Sequence, residues 1–391
     1  MAIESSDNPD QAGRRLRLGM VGGGQGAFIG AVHRIAARLD DRYQLVAAAL
    51  SSEPQRARAS GEELGLAPDR IYENFDSMAQ AEAARDDGID VVSIVTPNHV
   101  HFAAARAFLD AGIHVICDKP LTNTAAEARE LAQLAGDKDL LFAVTYNYSG
   151  YPMIRQARDL ASSGALGELR VLQVEYPQDW LTTAAENTGL KQAEWRTDPE
   201  RAGSGGCIGD IGSHAYHLAC YVSGLKLESL CAELTTFVEG RQLDDNAQIM
   251  LRFEGGARGL LWSSQVAPGN ENGLRLRVYG SEGGLEWKQE NPNQLWYTPF
   301  SQPTQLITRC GSGANDSANR LSRIPPGHPE GYLEGFANIY SEVAAALQAR
   351  LQGTPLNAEV DFPNVDDGLR GVEFIEAAVA SSAAGAKWVS L

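Results

Sequence analysis

The spacing of apolar and polar residues changes character near the middle of the chain. Up to about residue 146, short apolar runs alternate with stretches of helical period. Residues 16–21, 43–50, 91–95, 114–118 and 141–145 are too short for buried helices and read as strands. Between them, 27–39, 54–64, 99–110 and 124–135 carry helical patterns, the last three followed by Gly65, Gly112 and Gly136 as stops. Strands separated by helices need crossovers, so this half predicts a mainly parallel sheet with helices on both faces. The second half reads as sequential strands at 170–176, 229–238, 247–253, 259–265, 274–279 and 284–287, several joined by glycine-containing turns. Helices at 150–163 and 212–223 would cover that antiparallel sheet, and 329–350 and 363–384 return to helix. Residues 304–326, rich in Ser, Gly and Asn, read as a long surface loop. The expected organisation is therefore a loose tail at 1–13, an α/β dinucleotide-binding domain at 14–146, and an α+β domain with a large antiparallel sheet and C-terminal helices at 147–391.

Gly22-Gly23-Gly24-Gln25-Gly26-Ala27 leaves the first predicted strand and opens a helix, matching G-x-G-x-x-A. Glycine lets the backbone turn tightly and approach a pyrophosphate, while the helix N-terminus supplies N–H donors and partial positive charge. A plain tight turn would also use glycine; placement in the first strand-to-helix turn favours NAD or NADP. An acid about 20 residues on would clamp the ribose of NAD. Here the second strand ends with Ser51 and Ser52, and Arg56 and Arg58 lie just beyond. These arginines either meet a 2′-phosphate or are solvated helix residues, which tilts the choice slightly to NADP.

Two further segments fall at carboxyl ends of predicted strands, where open α/β sheets bind ligands: Thr96-Pro97-Asn98-His99-Val100-His101 and Cys117-Asp118-Lys119-Pro120. Beside a cationic nicotinamide, Lys119 would have a depressed pKa and could hold a substrate hydroxyl and relay its proton. The plainer reading is an exposed lysine before a turn. In the second half, Asp210 and His214 follow a Gly-rich turn four residues apart, on one helical face. They suit an acid/base pair, although a histidine there also serves structural roles. His217, and the pair His99 and His101, invite a metal reading, but no compact ligand set accompanies them and no metal is expected. Tyr148, Trp180 and Trp195 belong to an aromatic stretch with polar tips that suits sugar rings; Asn147, Gln178 and Arg196 join them as candidate substrate contacts. His328, before a predicted helix, either reaches the same pocket or sits in a capped turn.

Composition narrows the classes. A chain of 391 residues predicts two domains, and 43% apolar content says that most of it folds. A formal charge of −17 argues against nucleic acid and anionic membranes as partners. No apolar run is long enough to span a bilayer, residues 1–13 contain no apolar signal core, and the five cysteines show no Cys-x-x-Cys spacing. A cytoplasmic protein without disulfides is expected.

In this order and at these separations, the motifs resemble the Gfo/Idh/MocA (glucose–fructose oxidoreductase / inositol dehydrogenase / MocA) family. The likeness is carried by the glycine loop, Thr96-Pro97-Asn98, Asp118-Lys119-Pro120, Trp195-Arg196, the run to Asp210 and His214, Val278-Tyr279-Gly280-Ser281-Glu282-Gly283-Gly284, and Gly385-Ala386-Lys387-Trp388-Val389. The resemblance implies a Rossmann domain followed by a largely antiparallel domain, an NAD(P) cofactor, sugar or cyclitol substrates, and homodimers or homotetramers formed through the second sheet. It places Lys119, Asp210 and His214 on the family's catalytic positions, and Thr96, Pro97, Asn98 and Asp118 around the nicotinamide and its ribose. Two departures stand out: Asp118 replaces the usual Glu, and Ser51 stands where NAD-preferring relatives often place an acid. The implied reaction is hydride transfer from a ring CH–OH, with His214, oriented by Asp210, taking the hydroxyl proton while Lys119 bonds the same oxygen. The competing readings are a non-catalytic dinucleotide-binding regulator of the same fold and an NAD-dependent glycoside hydrolase.

Overall fold

The structure is a computed structural model that describes residues 14–391; the expected tail at 1–13 lies outside the described residues. Five parallel strands, β1 (Leu16–Gly22), β2 (Tyr43–Ala49), β3 (Val91–Val95), β4 (His114–Cys117) and β5 (Phe142–Val144), form one sheet in the order β2-β1-β3-β4-β5. Every residue of β3 is buried, as a strand covered on both faces requires. The order reverses between β1 and β3, and Gly22 pairs with Val95 there. That pairing brings the glycine turn and the Thr96 segment together at the carboxyl edge, where a switch point opens a crevice.

The second sheet has nine strands: β6 (Leu169–Pro177), β7 (Leu227–Thr235), β8 (Asn246–Phe253), β9 (Arg258–Ser264), β10 (Arg275–Gly280), β11 (Gly283–Lys288), β12 (Gln294–Pro299), β13 (Gln305–Thr308) and β14 (Val389–Ser390). Their order is β13-β12-β11-β10-β6-β9-β8-β7-β14, antiparallel except for β6 with β9. Strand β8 alternates cleanly: Ala247, Ile249, Leu251 and Phe253 face the core while Met250 is exposed. Helices Pro152–Ser162, Ser213–Ser223 and Val365–Ala383 contribute to the apolar core on the inner face.

The chain's end returns to the first sheet. Helix Tyr332–Gln352 sets Phe336, Ile339, Tyr340 and Val343 against Leu16, Leu18, Val91 and Ile116, completing that sheet's core. Three features depart from the sequence expectations. Helix Phe75–Ala83, capped by Asn74 accepting from Ser77 N at 2.8 Å, occupies a stretch with no expected element. Strands β12 and β13 extend the sheet past its expected edge. The region 304–326 is no simple surface loop: it holds β13, helix Asp316–Arg320 and the buried Arg309, whose guanidinium donates to Asn293 Oδ1 and to the carbonyls of Ile324, Pro325 and His328. Main-chain carbonyls and Glu330, 2.9 Å away, meet this buried cation, while the serine, glycine and asparagine residues of the stretch stay at least partly exposed.

Candidate active site

A cavity of about 680 Å³ lies between the carboxyl edge of the first sheet and the helix-covered face of the second. On one side, helix Phe28–Leu39 starts at Ala27 with no side-chain cap and no acidic residue in its first turn. Its first N–H groups are therefore unspent, and Ala27, Phe28 and Ile29 reach the cavity. The turn before it needs glycine: a Cβ on Gly30 would lie 2.3 Å from Gly23 Cα, and Gly26 turns at φ +81° with open space beside it. Arg34 Nη1 donates to Gly23 O at 2.7 Å and steadies the turn. Thr96 Oγ1 and Asn147 Nδ2, on residues that line the cavity, are buried without partners. An uncapped helix start and unspent polar atoms fit a dinucleotide, with the Gly22–Ala27 turn at its pyrophosphate.

The other cofactor candidates fall in different places. Gly22, Gly24, Gln25, Gly26, Ser51 and Ser52 do not line the cavity; Gly24 N donates to Leu50 O at 3.2 Å and Gln25 Nε2 to Glu63 at 2.8 Å. Arg56 pairs with Glu53 at 3.3 Å. Pro97 and Asn98 line the cavity, with one Asn98 Nδ2 donor committed to Ala202 O. His101 does not reach it. The ring is fully buried, with Nδ1 2.9 Å from Pro120 O and Nε2 2.9 Å from Thr96 O, so it braces the two segments that line the cavity from behind.

Lys119, Asp210 and His214 meet at the cavity. Lys119 follows β4, and Asp118 Oδ1 accepts from both Lys119 N at 2.9 Å and Thr145 Oγ1 at 3.0 Å, fixing the start of that turn. Asp210 lies in a π-helical turn, Ile208–Gly212, that leads into the helix of His214. Its Oδ1 accepts from Lys119 Nζ at 3.1 Å and its main-chain oxygen from the same amine at 2.5 Å. Its Oδ2 accepts from Gln265 Nε2 at 2.8 Å and lies 3.2 Å from Arg196 Nε. Burial opposes a charged carboxylate, but Arg196 and Lys119 outweigh it and hold Asp210 well below the usual carboxylate range.

The expected Asp210–His214 pairing is replaced by a carboxylate–ammonium–guanidinium cluster with the imidazole alongside. No hydrogen bond joins the two residues, because two cations outcompete a neutral ring for the carboxylate. The rings of Tyr146, Tyr148 and Tyr176 surround His214 at centroid distances of 5.7, 4.9 and 6.3 Å. Burial, then Lys119, push its pKa well below the ordinary histidine value, so the ring is neutral near pH 7. Its Nδ1 is buried without a partner, which leaves Nε2 as the nitrogen that opens on the cavity.

Trp180, Trp195, Gln178, Asn147 and Tyr148 line the cavity, and Arg196 stacks on Trp195 at 4.2 Å while bonding the Gln192 side chain. His328 does not: it is exposed, and its carbonyl accepts from Arg309 at 2.6 Å. Asn272, Gln289, Tyr332 and Phe336 line the cavity without having been anticipated. Asn272 sits in the Gly-Asn-rich link between β9 and β10, where turn chemistry masks a side chain's role. Tyr332 and Phe336 are four apart at the start of a helix, a spacing that also suits ordinary core. Among the described residues, no group of three or more His, Cys, Asp or Glu is arranged to hold a metal.

A parallel Rossmann sheet followed by a large antiparallel sheet, with a lysine and a histidine meeting at the crevice between them, defines an NAD(P)-linked oxidoreductase architecture. Residues 16–146 match the family model "Oxidoreductase family, NAD-binding Rossmann fold", and residues 154–286 match "GFO/IDH/MocA C-terminal domain". The chain belongs to the Gfo/Idh/MocA oxidoreductase family. It is 56% identical to an oxidoreductase from Sinorhizobium meliloti of known crystal structure, over 96% of this chain and 100% of that one, with TM-score 0.89. It is 38% identical to an inositol dehydrogenase homologue from Azotobacter vinelandii, complexed with NADH and myo-inositol, over 97% and 98% of the two chains, with TM-score 0.91. A levoglucosan dehydrogenase from Pseudarthrobacter phenanthrenivorans is 30% identical over 72% of this chain and 76% of its own.

Proposed function

We propose that this protein is a dehydrogenase that oxidises a ring secondary alcohol of a sugar or cyclitol, transferring hydride to NAD. The observation that carries the reading is the convergence of Lys119, Asp210 and His214 in a cavity shared with the Thr96–Asn98 segment and the uncapped helix start. A bound nicotinamide would supply the hydride acceptor. Of the three N–H bonds of Lys119, two are directed at Asp210 and one is left for a substrate oxygen. His214 Nε2, on a neutral ring, accepts the hydroxyl proton. The Asp210 carboxylate favours the resulting imidazolium through space without bonding it. Asp210 thus acts mainly by holding Lys119 and Arg196 in place, and positioning carries much of the rate.

The slight tilt towards NADP gives way to NAD in this reading. Arg56 stands 3.3 Å from Glu53 and Arg58 3.1 Å from Glu62, so carboxylates already accompany both arginines that a 2′-phosphate would need. The inositol dehydrogenase homologue is complexed with NADH, which points the same way. A reducing compartment such as the cytoplasm suits five cysteines none of which is disulfide-bonded. Among the described residues, no helix is long and apolar enough to cross a membrane. Met250, Leu260, Tyr279 and Trp296, all exposed on strands of the second sheet, support association through that sheet.

The test is a cofactor-reduction screen over inositols, aldoses, sugar acids and glycosides with both dinucleotides. Reduction of NAD by at least one cyclitol or sugar is expected. Stoichiometric NAD binding without turnover would replace this reading with the regulatory one. Aglycone release without net cofactor reduction would replace it with the hydrolase.

A further inference from the structure

One wall of the cavity is a chain of hydrogen bonds whose direction follows from a single donor. Trp180 Nε1 can only donate, and it lies 3.0 Å from Gln178 Oε1. That bond fixes which way the Gln178 amide points, and its Nε2 donates to Asn272 Oδ1 at 2.8 Å. Asn272 Oδ1 can only accept, so Tyr176, 2.7 Å away, spends its hydroxyl proton there. Tyr176 then has only its oxygen to offer Tyr148, and Tyr148 must donate to it. Each choice forces the next, from the indole to the tyrosine whose ring lies 4.9 Å from that of His214.

We propose that Trp180 is a positioning residue which sets this direction, so that the wall offers amide N–H donors from Gln178 and Asn272, and the oxygen of Tyr148 as acceptor, to a substrate hydroxyl. The proposal rests on the dehydrogenase reading and deepens it by naming what the wall recognises. Asn272 Nδ2 also donates to Tyr148 at 3.5 Å; with these bonds made, Gln178 Nε2 and Asn272 Nδ2 each keep one N–H, and Tyr148, its proton spent, keeps one lone pair. A hydroxyl answers both demands, since it accepts and donates at once. An ammonium at that position has no lone pair for the amide donors, and a deoxy carbon answers neither. The wall therefore selects an uncharged polyol and discriminates against an amino sugar at the matching ring position.

The loop that carries Trp180 is held firmly enough to impose a direction. Arg241, whose side chain is 1% exposed, donates to Leu181 O, Thr183 O and both carboxylate oxygens of Glu186. It also bonds the buried Asp245 at 3.1 Å. The cavity balances its own charge as well: Lys119 and Arg196 face Asp118 and Asp210, which leaves no surplus charge to attract an ionic substrate.

Two measurements decide the matter. A neutron structure of the perdeuterated protein should show the Tyr148 deuteron aimed at Tyr176 and the Tyr176 deuteron aimed at Asn272; either one reversed overturns the proposal. This needs no turnover, so it stands apart from any failure of the dehydrogenase reading, which the cofactor screen reports. The second measurement is steady-state kinetics of Trp180→Phe, which keeps the aromatic face and removes the N–H, with the best polyol of the screen and its monodeoxy analogues. KM for the parent polyol should rise roughly tenfold while kcat falls no more than about threefold, the loss of one well-placed hydrogen bond. For the analogue lacking the hydroxyl that meets the wall, wild type and variant should have equal KM. An unchanged KM for the parent, or the same rise for every analogue, would reduce Trp180 to simple packing.

Discussion

Replacing Asp210 by Asn probes the joint on which the site depends. The carboxylate is met by Lys119 from the first half of the chain and by Arg196 and Gln265 from the second. The side chains of Lys119, Asp210 and Arg196 are 13%, 16% and 23% exposed, so the substitution leaves two cations facing each other in a largely closed cavity. Removing one partner of a buried pair costs about 3–5 kcal/mol. The contact from Lys119 to the Asp210 main-chain oxygen survives, and the residues keep some contact with water, which places the loss near the lower end, at about 3 kcal/mol. The folded carboxyl titrates below its unfolded value, so its contribution is complete above about pH 4 and disappears as pH falls through the lower folded value. Calorimetry of both proteins should therefore show a gap in Tm that is full at pH 7 and narrows below about pH 4. In the polyol assay kcat should fall roughly 10²-fold, through loss of Lys119 positioning. The Kd for NAD, read by isothermal titration, should stay within about twofold, because the glycine turn touches none of these groups. Equal melting temperatures at pH 7 would refute the pairing as an energetic feature.

Burial holds His33, His101, His114, His214 and His217 below their ordinary pKa. Their unfolded forms take up protons first, so stability is full above about pH 6.5 and falls below it, by up to about 1.4 kcal/mol per pH unit for each ring. Urea midpoints should drop clearly between pH 7.5 and 5.5, and a flat profile would contradict the burial of these rings. Arg241→Ala leaves Asp245 buried without its counter-charge, held only by the main-chain N–H groups of Phe237 and Val238, and should cost about 3 kcal/mol in urea unfolding; a loss below about 1 kcal/mol would show that the loop is not held this way. Gly30→Ala drives a methyl group into Gly23 and should raise the Kd for NAD at least tenfold by displacing the turn; wild-type affinity would argue against the turn as the cofactor's seat.

Local signals carried the first half of the fold. β1, β3 and β4, with the glycine stops between them, are visible because parallel strands are continuous apolar runs. Lys119, Asp210 and His214 could be singled out because each lies at a strand end or just after a Gly-rich turn. Their partnerships could not, since they depend on which cation reaches Asp210 across the crevice. His101 shows the same limit: a histidine two residues from His99 looks chemical, and only the fold reveals its two carbonyl partners. The polar stretch 304–326 misled because a four-residue strand and a five-residue helix are too short to show a period, and the carbonyls that meet Arg309 leave no side-chain signal. Asn272 and Phe336 escaped notice because their roles arise where segments distant in sequence converge.

The central claim is that Lys119 and His214 act on one alcohol beside one nicotinamide. Single-turnover kinetics test it most directly, with enzyme and NAD in excess over the polyol identified by the screen, following the absorbance of reduced nicotinamide. Wild type should convert the polyol stoichiometrically, and Lys119→Ala and His214→Ala should each slow the step by roughly 10²–10⁴ with NAD affinity kept. Reduction at the wild-type rate in both variants would contradict the account.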